Sequence, residues 1–157
     1  NENPVGLSLS ALIKEDLRTH DSLLFEHGFW ALAVHRFGNW RMGIRWKLLN
    51  VAPEMGSWTA IFDCPAGSSF APHIHAGPGE YFLTKGRMDV RGGKAAGGDT
   101  AVAPGYGFES SGARHDKTNF PVDSEFYMTF LGPLTFIKPD GSPIAVIGWE
   151  EAQGAWG

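Results

Sequence analysis

The sequence contains a single cysteine, Cys64, among its 157 residues, so no disulfide can form within the chain. This excludes the disulfide-rich scaffolds of small secreted proteins and favours a reducing, cytoplasmic location. The first twenty residues lack a charged start followed by an apolar core, and no apolar run reaches the about 18–20 residues needed to cross a bilayer. We therefore expect neither export nor membrane association.

Charge is also scarce, with 13 basic and 17 acidic residues and no basic run. This balance offers no surface for a polyphosphate, so we expect no nucleic-acid partner. A chain of this length buries about 68–70% of the surface that its unfolded form exposes. It needs no structural metal to fold, and any metal site is expected to serve chemistry.

Glycine is abundant, with 21 residues, and most of it separates short apolar segments. Within residues 1–43, apolar side chains recur at helical spacing, which predicts a short N-terminal helical segment. Within residues 44–157 the apolar period becomes two, which predicts a domain of many short strands, an all-β sandwich or barrel. The apolar stripe of the helices must be covered, which favours a homodimer or a higher homo-oligomer.

Three histidines stand at informative spacings. His73 and His75 are two residues apart, and His115 follows forty residues later in the sequence Gly112-Ala-Arg-His115. In a strand, residues two apart project to the same face, so both imidazoles of the pair can point into a barrel. A third histidine on a neighbouring strand would complete a set of metal ligands that leaves open positions.

These residues resemble the two sequence motifs of the cupin superfamily, over roughly Ile44 to Trp149. The resemblance implies a cupin-type β-barrel, or jelly roll, with His73, His75 and His115 as metal ligands. The matching positions of the first motif are Gly67, His73, His75 and Gly86, and those of the second are Gly98, Pro104, Gly112, His115 and Asn119. The segment between Pro104 and Gly112 is longer than in the family, which predicts an enlarged loop.

The family's glutamate position is occupied here by Gly79, with Glu80 next to it. A shift of one residue along a strand turns a side chain to the opposite face unless a bulge intervenes. We therefore expect a three-histidine site, with Glu80 as a group that orients a histidine or a bound water. A bulge at Gly77-Pro78-Gly79 would instead make Glu80 a fourth ligand.

Three neutral imidazoles leave the two positive charges of a divalent ion uncompensated, which favours an anionic ligand that binds through two oxygens. An enolate or an enediolate meets that demand. Fe²⁺ would support O₂ chemistry at such a site and Zn²⁺ would not, but the ligand set itself is compatible with both ions.

The segment from Ala66 to His75 further resembles single-domain cupins that cleave ketones, a group that includes acetylacetone dioxygenases and 2,4'-dihydroxyacetophenone dioxygenase. This resemblance implies one Fe²⁺ per chain, a small ketone and O₂ as substrates, and cleavage of a carbon–carbon bond. We favour an aromatic hydroxyketone, with conversion of 2,4'-dihydroxyacetophenone and O₂ to 4-hydroxybenzoate and formate. The alternatives are a β-diketone dioxygenase and a metal-binding cupin sensor without catalysis.

The preference for an aromatic substrate depends on aromatic side chains in the segments that build a cupin interior. These residues are Phe70, Tyr81, Phe82, Tyr106, Phe108, Phe126, Tyr127 and Phe130. Cleavage also requires a base, for which Glu80 and Glu109 are the candidates. Glu109 falls in the predicted loop before His115, where it could equally be a solvated surface charge.

Overall fold

The computed structural model describes residues 43–156, so the predicted helical segment lies outside the described residues apart from Gly43. Thirteen strands account for most of the described chain, and they are followed by one helix, α1, Trp149–Trp156. No helix in residues 43–156 is long and apolar enough to span a membrane. The predicted all-β class is confirmed for this part of the chain.

The strands form three antiparallel sheets. The first sheet has the order β1 (Arg45–Ala52), β2 (Ser57–Cys64), β11 (Ser124–Phe130), β5 (Gly79–Lys85) and β8 (Gly105–Glu109). The second has the order β3 (Ser69–Phe70), β10 (Thr118–Asn119), β6 (Arg87–Val90) and β7 (Asp99–Val102). The third has the order β13 (Pro143–Ile147), β12 (Leu134–Ile137), β4 (His73–His75) and β9 (Arg114–His115).

The alternating inward side chains of the first sheet supply most of the core, and Met88, Val90, Phe120, Leu134 and Ala152 complete it. Along β11, for example, every second residue from Ser124 to Phe130 is buried. Aromatic rings stack within this core, with centroids 4.0 Å apart for Trp58 and Phe130 and 4.8 Å apart for Phe62 and Phe126. Full burial of one such side chain stabilises the fold by about 1.5–3 kcal/mol.

Cys64 ends β2 with its side chain fully buried, and this burial raises the pKa of the thiol. It therefore acts as a small apolar core residue rather than as a nucleophile. A 3₁₀ turn over Pro53–Met55 connects β1 to β2 and ends at Gly56 with φ +64°, a conformation that glycine adopts without strain.

One prediction about the elements is wrong. The predicted loop between Pro104 and Gly112 contains β8, which pairs with β5 along its whole length. Glycine suggested a turn there, but a Cβ at Gly107 would lie only 2.2 Å from the ring of Tyr81, so this glycine permits close packing inside a strand.

Candidate metal centre

Two of the three predicted ligands lie on β4, whose side chains alternate in direction. His73 and His75 are buried, and Ile74 between them is half-buried. β4 pairs antiparallel with β9, in a register that places His115 opposite His73. The two-residue spacing and the strand pairing together bring the three imidazoles to one place.

The three rings form a compact, enclosed cluster. Their centroids are 5.3 Å apart for His73 and His75, and each of these centroids is 5.0 Å from that of His115. The three ligand nitrogens all lie within 4.8 Å of one another. His73, His75 and His115 are only 6%, 2% and 4% exposed. This arrangement can hold a divalent ion and leave coordination positions open for other ligands.

Burial sets the protonation state of His73 and His75. Desolvation lowers the pKa of His73 to about 4. Desolvation, reinforced by the neighbouring His73 and His115, lowers the pKa of His75 to about 4 as well. Both imidazoles are therefore neutral at pH 7. Nδ1 of His73 donates a hydrogen bond to the carbonyl oxygen of Ala71 at 2.8 Å, which leaves Nε2 as the ligand atom.

A second observation concerns the fit of a metal to these residues. Nδ1 of His75 is buried and has no hydrogen-bond partner among the described residues. Buried polar atoms in folded proteins are nearly always paired, so an unpaired atom points to an ion or a water that completes it. The donor set and this unpaired nitrogen fit a divalent metal cofactor.

Glu109 adds a carboxylate to the cluster. Its Oε2 lies 2.8 Å from Nε2 of His115, and the two side chains are only 15% and 6% exposed. Glu109 ends β8, and its side chain is turned toward His115 rather than out into solvent. The structure therefore places one of the two predicted bases directly beside a predicted ligand.

The other predicted base, Glu80, lies on the opposite face of β5. It is exposed, and its Oε1 accepts a hydrogen bond from the hydroxyl of Tyr106 at 2.9 Å. The neighbouring Gly79 faces inward, since a Cβ built there would lie 3.8 Å from Nδ1 of His75. β5 pairs with β8 without a bulge from Gly79 onward, so the structure does not bring Glu80 to the histidines.

Phenylalanine rings form the wall around the histidines. Phe70 lies 6.4 Å from His73, and Phe130 lies 6.1 Å from His75, both between ring centroids. Phe136, which no motif singled out, lies 5.5 Å from His73. Its position opposite His73 in the pairing of β12 with β4 is the signal that could have identified it.

The predicted aromatic lining is only half correct. Phe70, Tyr81, Phe126 and Phe130 face the interior. The other four of the eight aromatic residues are exposed on the outside of the first sheet, because they occupy the alternate positions of their strands. These four residues are Phe82, Tyr106, Phe108 and Tyr127.

Comparison with known proteins identifies relatives whose names and folds are consistent with a cupin-type site. The family model of the ChrR cupin-like domain matches residues 28–135. An enzyme from Acinetobacter johnsonii named as acetylacetone-cleaving is 74% identical over 114 residues, which are 73% of this chain and 74% of that enzyme.

Solved structures give the same result. A crystal structure of an acetylacetone dioxygenase from Acinetobacter johnsonii matches with a TM-score of 0.71 and 74% identity, over 73% of this chain and 76% of that one. A protein from Methylibium petroleiphilum PM1, provisionally named an acetylacetone dioxygenase, matches with a TM-score of 0.71 and 87% identity, over 72% and 78% of the two chains. An RmlC-like cupin from Ralstonia eutropha JMP134, 19% identical with a TM-score of 0.65 over 72% and 71% of the chains, shares the fold alone. The chain therefore belongs to the cupin superfamily, in the family of the ChrR cupin-like domain.

Proposed function

We propose that this protein is an iron-dependent dioxygenase that cleaves a carbon–carbon bond of a small β-diketone. The observation that carries the proposal is the cluster of three buried histidines with Glu109 beside it. The likeness to an enzyme named for acetylacetone cleavage supports this substrate class. It favours the β-diketone alternative over the aromatic hydroxyketone preferred from the sequence, and it lends no support to a role in the breakdown of aromatic compounds.

The charge of the ligand set suits such a substrate. His73, His75 and His115 would hold the ion, and neutral imidazoles contribute no negative charge to balance it. A β-diketone loses a proton from the carbon between its two carbonyl groups, and the resulting enolate spreads its charge over two oxygens. An anion with two oxygen donors is the kind of ligand that this set favours. When bound, Fe²⁺ would supply the one-electron chemistry toward O₂ that Zn²⁺ lacks.

Glu109 is the group placed to accept the proton from the central carbon. Its carboxylate is shielded from water and lies 2.8 Å from His115, so a substrate held beside this histidine also lies beside the carboxylate. A positioned base of this kind contributes a factor of about 10²–10⁴ to the rate.

The proposed reaction balances without a further reductant. A β-diketone and O₂ give a carboxylic acid and a 2-oxoaldehyde, and the bond that breaks joins the central carbon to one carbonyl carbon. The two separated carbons together lose four electrons, which O₂ takes up. The rings of Phe70, Phe130 and Phe136 lie beside the histidines and would limit the access of water to a substrate bound there.

Oxygen uptake by the Fe²⁺-loaded protein tests the proposal. We expect 2,4-pentanedione to be consumed with one equivalent of O₂ and to yield an acid and a 2-oxoaldehyde, and we expect His115→Ala to abolish the uptake. Uptake with 2,4'-dihydroxyacetophenone but not with the diketone would restore the aromatic hydroxyketone. Firm Zn²⁺ binding without uptake on either ketone would favour a sensor.

A further inference from the structure

A short turn connects the strand that carries Glu109 to the strand that carries His115. β8 ends at Glu109, and residues 110–113 lead from there into β9. The carbonyl oxygen of the first residue of this turn accepts a hydrogen bond from the amide of the fourth at 3.0 Å, and the third residue, Gly112, has φ +79°. These features are typical of a type II turn, whose third residue needs a positive φ. The conformation of the turn therefore sets how Glu109 and His115 face each other.

Three hydrogen bonds hold this turn against the β4 strand and the residue that follows it. Two of them join backbone groups: the amide of Gly112 donates to the carbonyl oxygen of His75 at 2.7 Å, and the amide of His75 donates to the carbonyl oxygen of Ala113 at 2.9 Å. The third comes from a side chain, because the hydroxyl of Ser111 donates to the carbonyl oxygen of Ala76 at 2.6 Å. Of the three, only this last bond requires a particular side chain.

The hydroxyl bond of Ser111 lies just beyond the strand pairing that holds Glu109. Glu109 pairs with Gly79, and this is the last pair between β8 and β5. The pairing fixes the strand up to Glu109, whereas the path of the chain from there to His115 depends on the turn. Ser111 follows Glu109 by two residues, and its bond anchors this path to the residue next to His75.

We propose that Ser111 is a positioning residue for Glu109. Its hydroxyl fastens the turn to the end of β4, which keeps the carboxylate of Glu109 2.8 Å from Nε2 of His115. The inference rests on the proposed function, in which this carboxylate accepts the proton of the diketone. A displacement of about 1 Å at a reacting group can lower a rate by about 100-fold, so one anchor in this turn matters for catalysis.

The exposure of Ser111 separates its role from core packing. The residue is exposed, so its replacement by alanine removes one hydroxyl without leaving a cavity in the core. The backbone bonds of the turn and the pairing of β4 with β9 remain, so the histidine cluster should stay intact. What changes is the fraction of molecules in which the turn, and with it Glu109, is held in place.

The rate of O₂ uptake by the full-length, Fe²⁺-loaded protein at saturating 2,4-pentanedione, divided by its iron content, tests the role of the hydroxyl. We expect Ser111→Ala to lower kcat about three- to tenfold, the factor by which one hydrogen bond of this kind shifts an equilibrium, with the iron content per chain unchanged. Ser111→Thr keeps a hydroxyl and should stay within about twofold of the wild type. The matched control is Ser110→Ala, since Ser110 is exposed in the same turn and its hydroxyl has no hydrogen-bond partner among residues 43–156.

Two further measurements separate positioning from a general structural role. In a Glu109→Gln background, Ser111→Ala should lower kcat no further, because the group that it positions no longer accepts a proton. Hydrogen–deuterium exchange of the Fe²⁺-loaded protein under argon, followed by mass spectrometry, gives a measurement without turnover. The amides of residues 109–113 should exchange about three- to tenfold faster in Ser111→Ala than in the wild type, in Ser111→Thr or in Ser110→Ala.

An unchanged kcat in Ser111→Ala, with a loss of about 100-fold in Glu109→Gln, would overturn this proposal and leave the proposed function standing. An equal loss in Ser110→Ala, or a further loss when Ser111→Ala is added to Glu109→Gln, would also overturn it, since the hydroxyl would then not act through Glu109. If the wild type takes up no O₂ with any diketone, the proposed function fails instead. The exchange rates alone then decide whether Ser111 holds the segment that carries Glu109.

Discussion

Replacing Glu109 by glutamine keeps the size of the side chain but removes its charge and its ability to accept a proton. The hydrogen bond to His115 joins two side chains that are 15% and 6% exposed, so water cannot take over the role of the carboxylate. A hydrogen bond to a charged group contributes about 1.5–3 kcal/mol. Loss of a positioned base lowers a rate by about 10²–10⁴. We therefore expect kcat for the diketone to fall by about 100-fold or more.

Glu80→Gln is the matched control, because it makes the same chemical change on the neighbouring strand. The Glu80 carboxylate bonds to Tyr106 on the outside of the sheet, so we expect its kcat to stay within about twofold of the wild type. The assay is O₂ uptake at saturating 2,4-pentanedione, with the iron content of each variant measured per chain and rates divided by it.

Two outcomes would refute this reasoning. If Glu109→Gln kept more than about a third of the wild-type kcat, the carboxylate would not be the base. If Glu80→Gln lost as much activity as Glu109→Gln, the placement of the two carboxylates on opposite faces would not explain their roles.

Three further predictions concern the metal, pH and packing. His115→Ala should lower the iron content, measured after gel filtration, by at least about tenfold, because one of three ligands is lost. The metal-free protein should be less stable at pH 5 than at pH 7 in thermal unfolding, by an amount on the order of 4 kcal/mol, about 2 kcal/mol for each of two histidines. His73 and His75 have a folded pKa of about 4 against an ordinary 6.5, so between these values the unfolded chain binds protons that the folded one does not. Unchanged stability across this window would contradict that explanation. Gly107→Ala should destabilise the fold by about 1–3 kcal/mol, since its Cβ would lie 2.2 Å from an aromatic ring, whereas Gly154→Ala on α1, with nothing within 4 Å, should be neutral or slightly stabilising. Equal melting temperatures for the two alanine variants would contradict the packing argument.

The histidine cluster was predictable from the sequence because it depends on short-range geometry. Residues two apart on a strand project to the same face, so the spacing of His73 and His75 places them together without knowledge of the fold. The position of His115 needed the resemblance to a known family, since pairing between distant strands is not encoded by local spacing. The motif spacing aligns Gly79 with the glutamate position of the family. The structure agrees with this alignment, because Gly79 faces His75.

The surroundings of the cluster were harder to predict, for two physical reasons. The glycines of β8 are typical of a loop in sequence, but Gly107 lies in a strand, where the absence of a side chain leaves room for the ring of Tyr81. The sequence therefore predicts a loop at Glu109 and gives no sign of its contact with His115. It also predicts that aromatic residues on strands face inward, but Phe82 and Tyr106 occupy the outward positions of their strands.

The division of the site between two sheets has a consequence for its movements. The three histidines lie on β4 and β9 of the third sheet, whereas Glu109 lies on β8 of the first. The pairing of β4 with β9 fixes the distances among the imidazoles. A small sliding or separation of the two sheets changes the distance from Glu109 to His115 while the histidines keep their spacing. The proposed proton transfer and the proposed metal binding would therefore respond separately to strain in the barrel, because each depends on a different sheet.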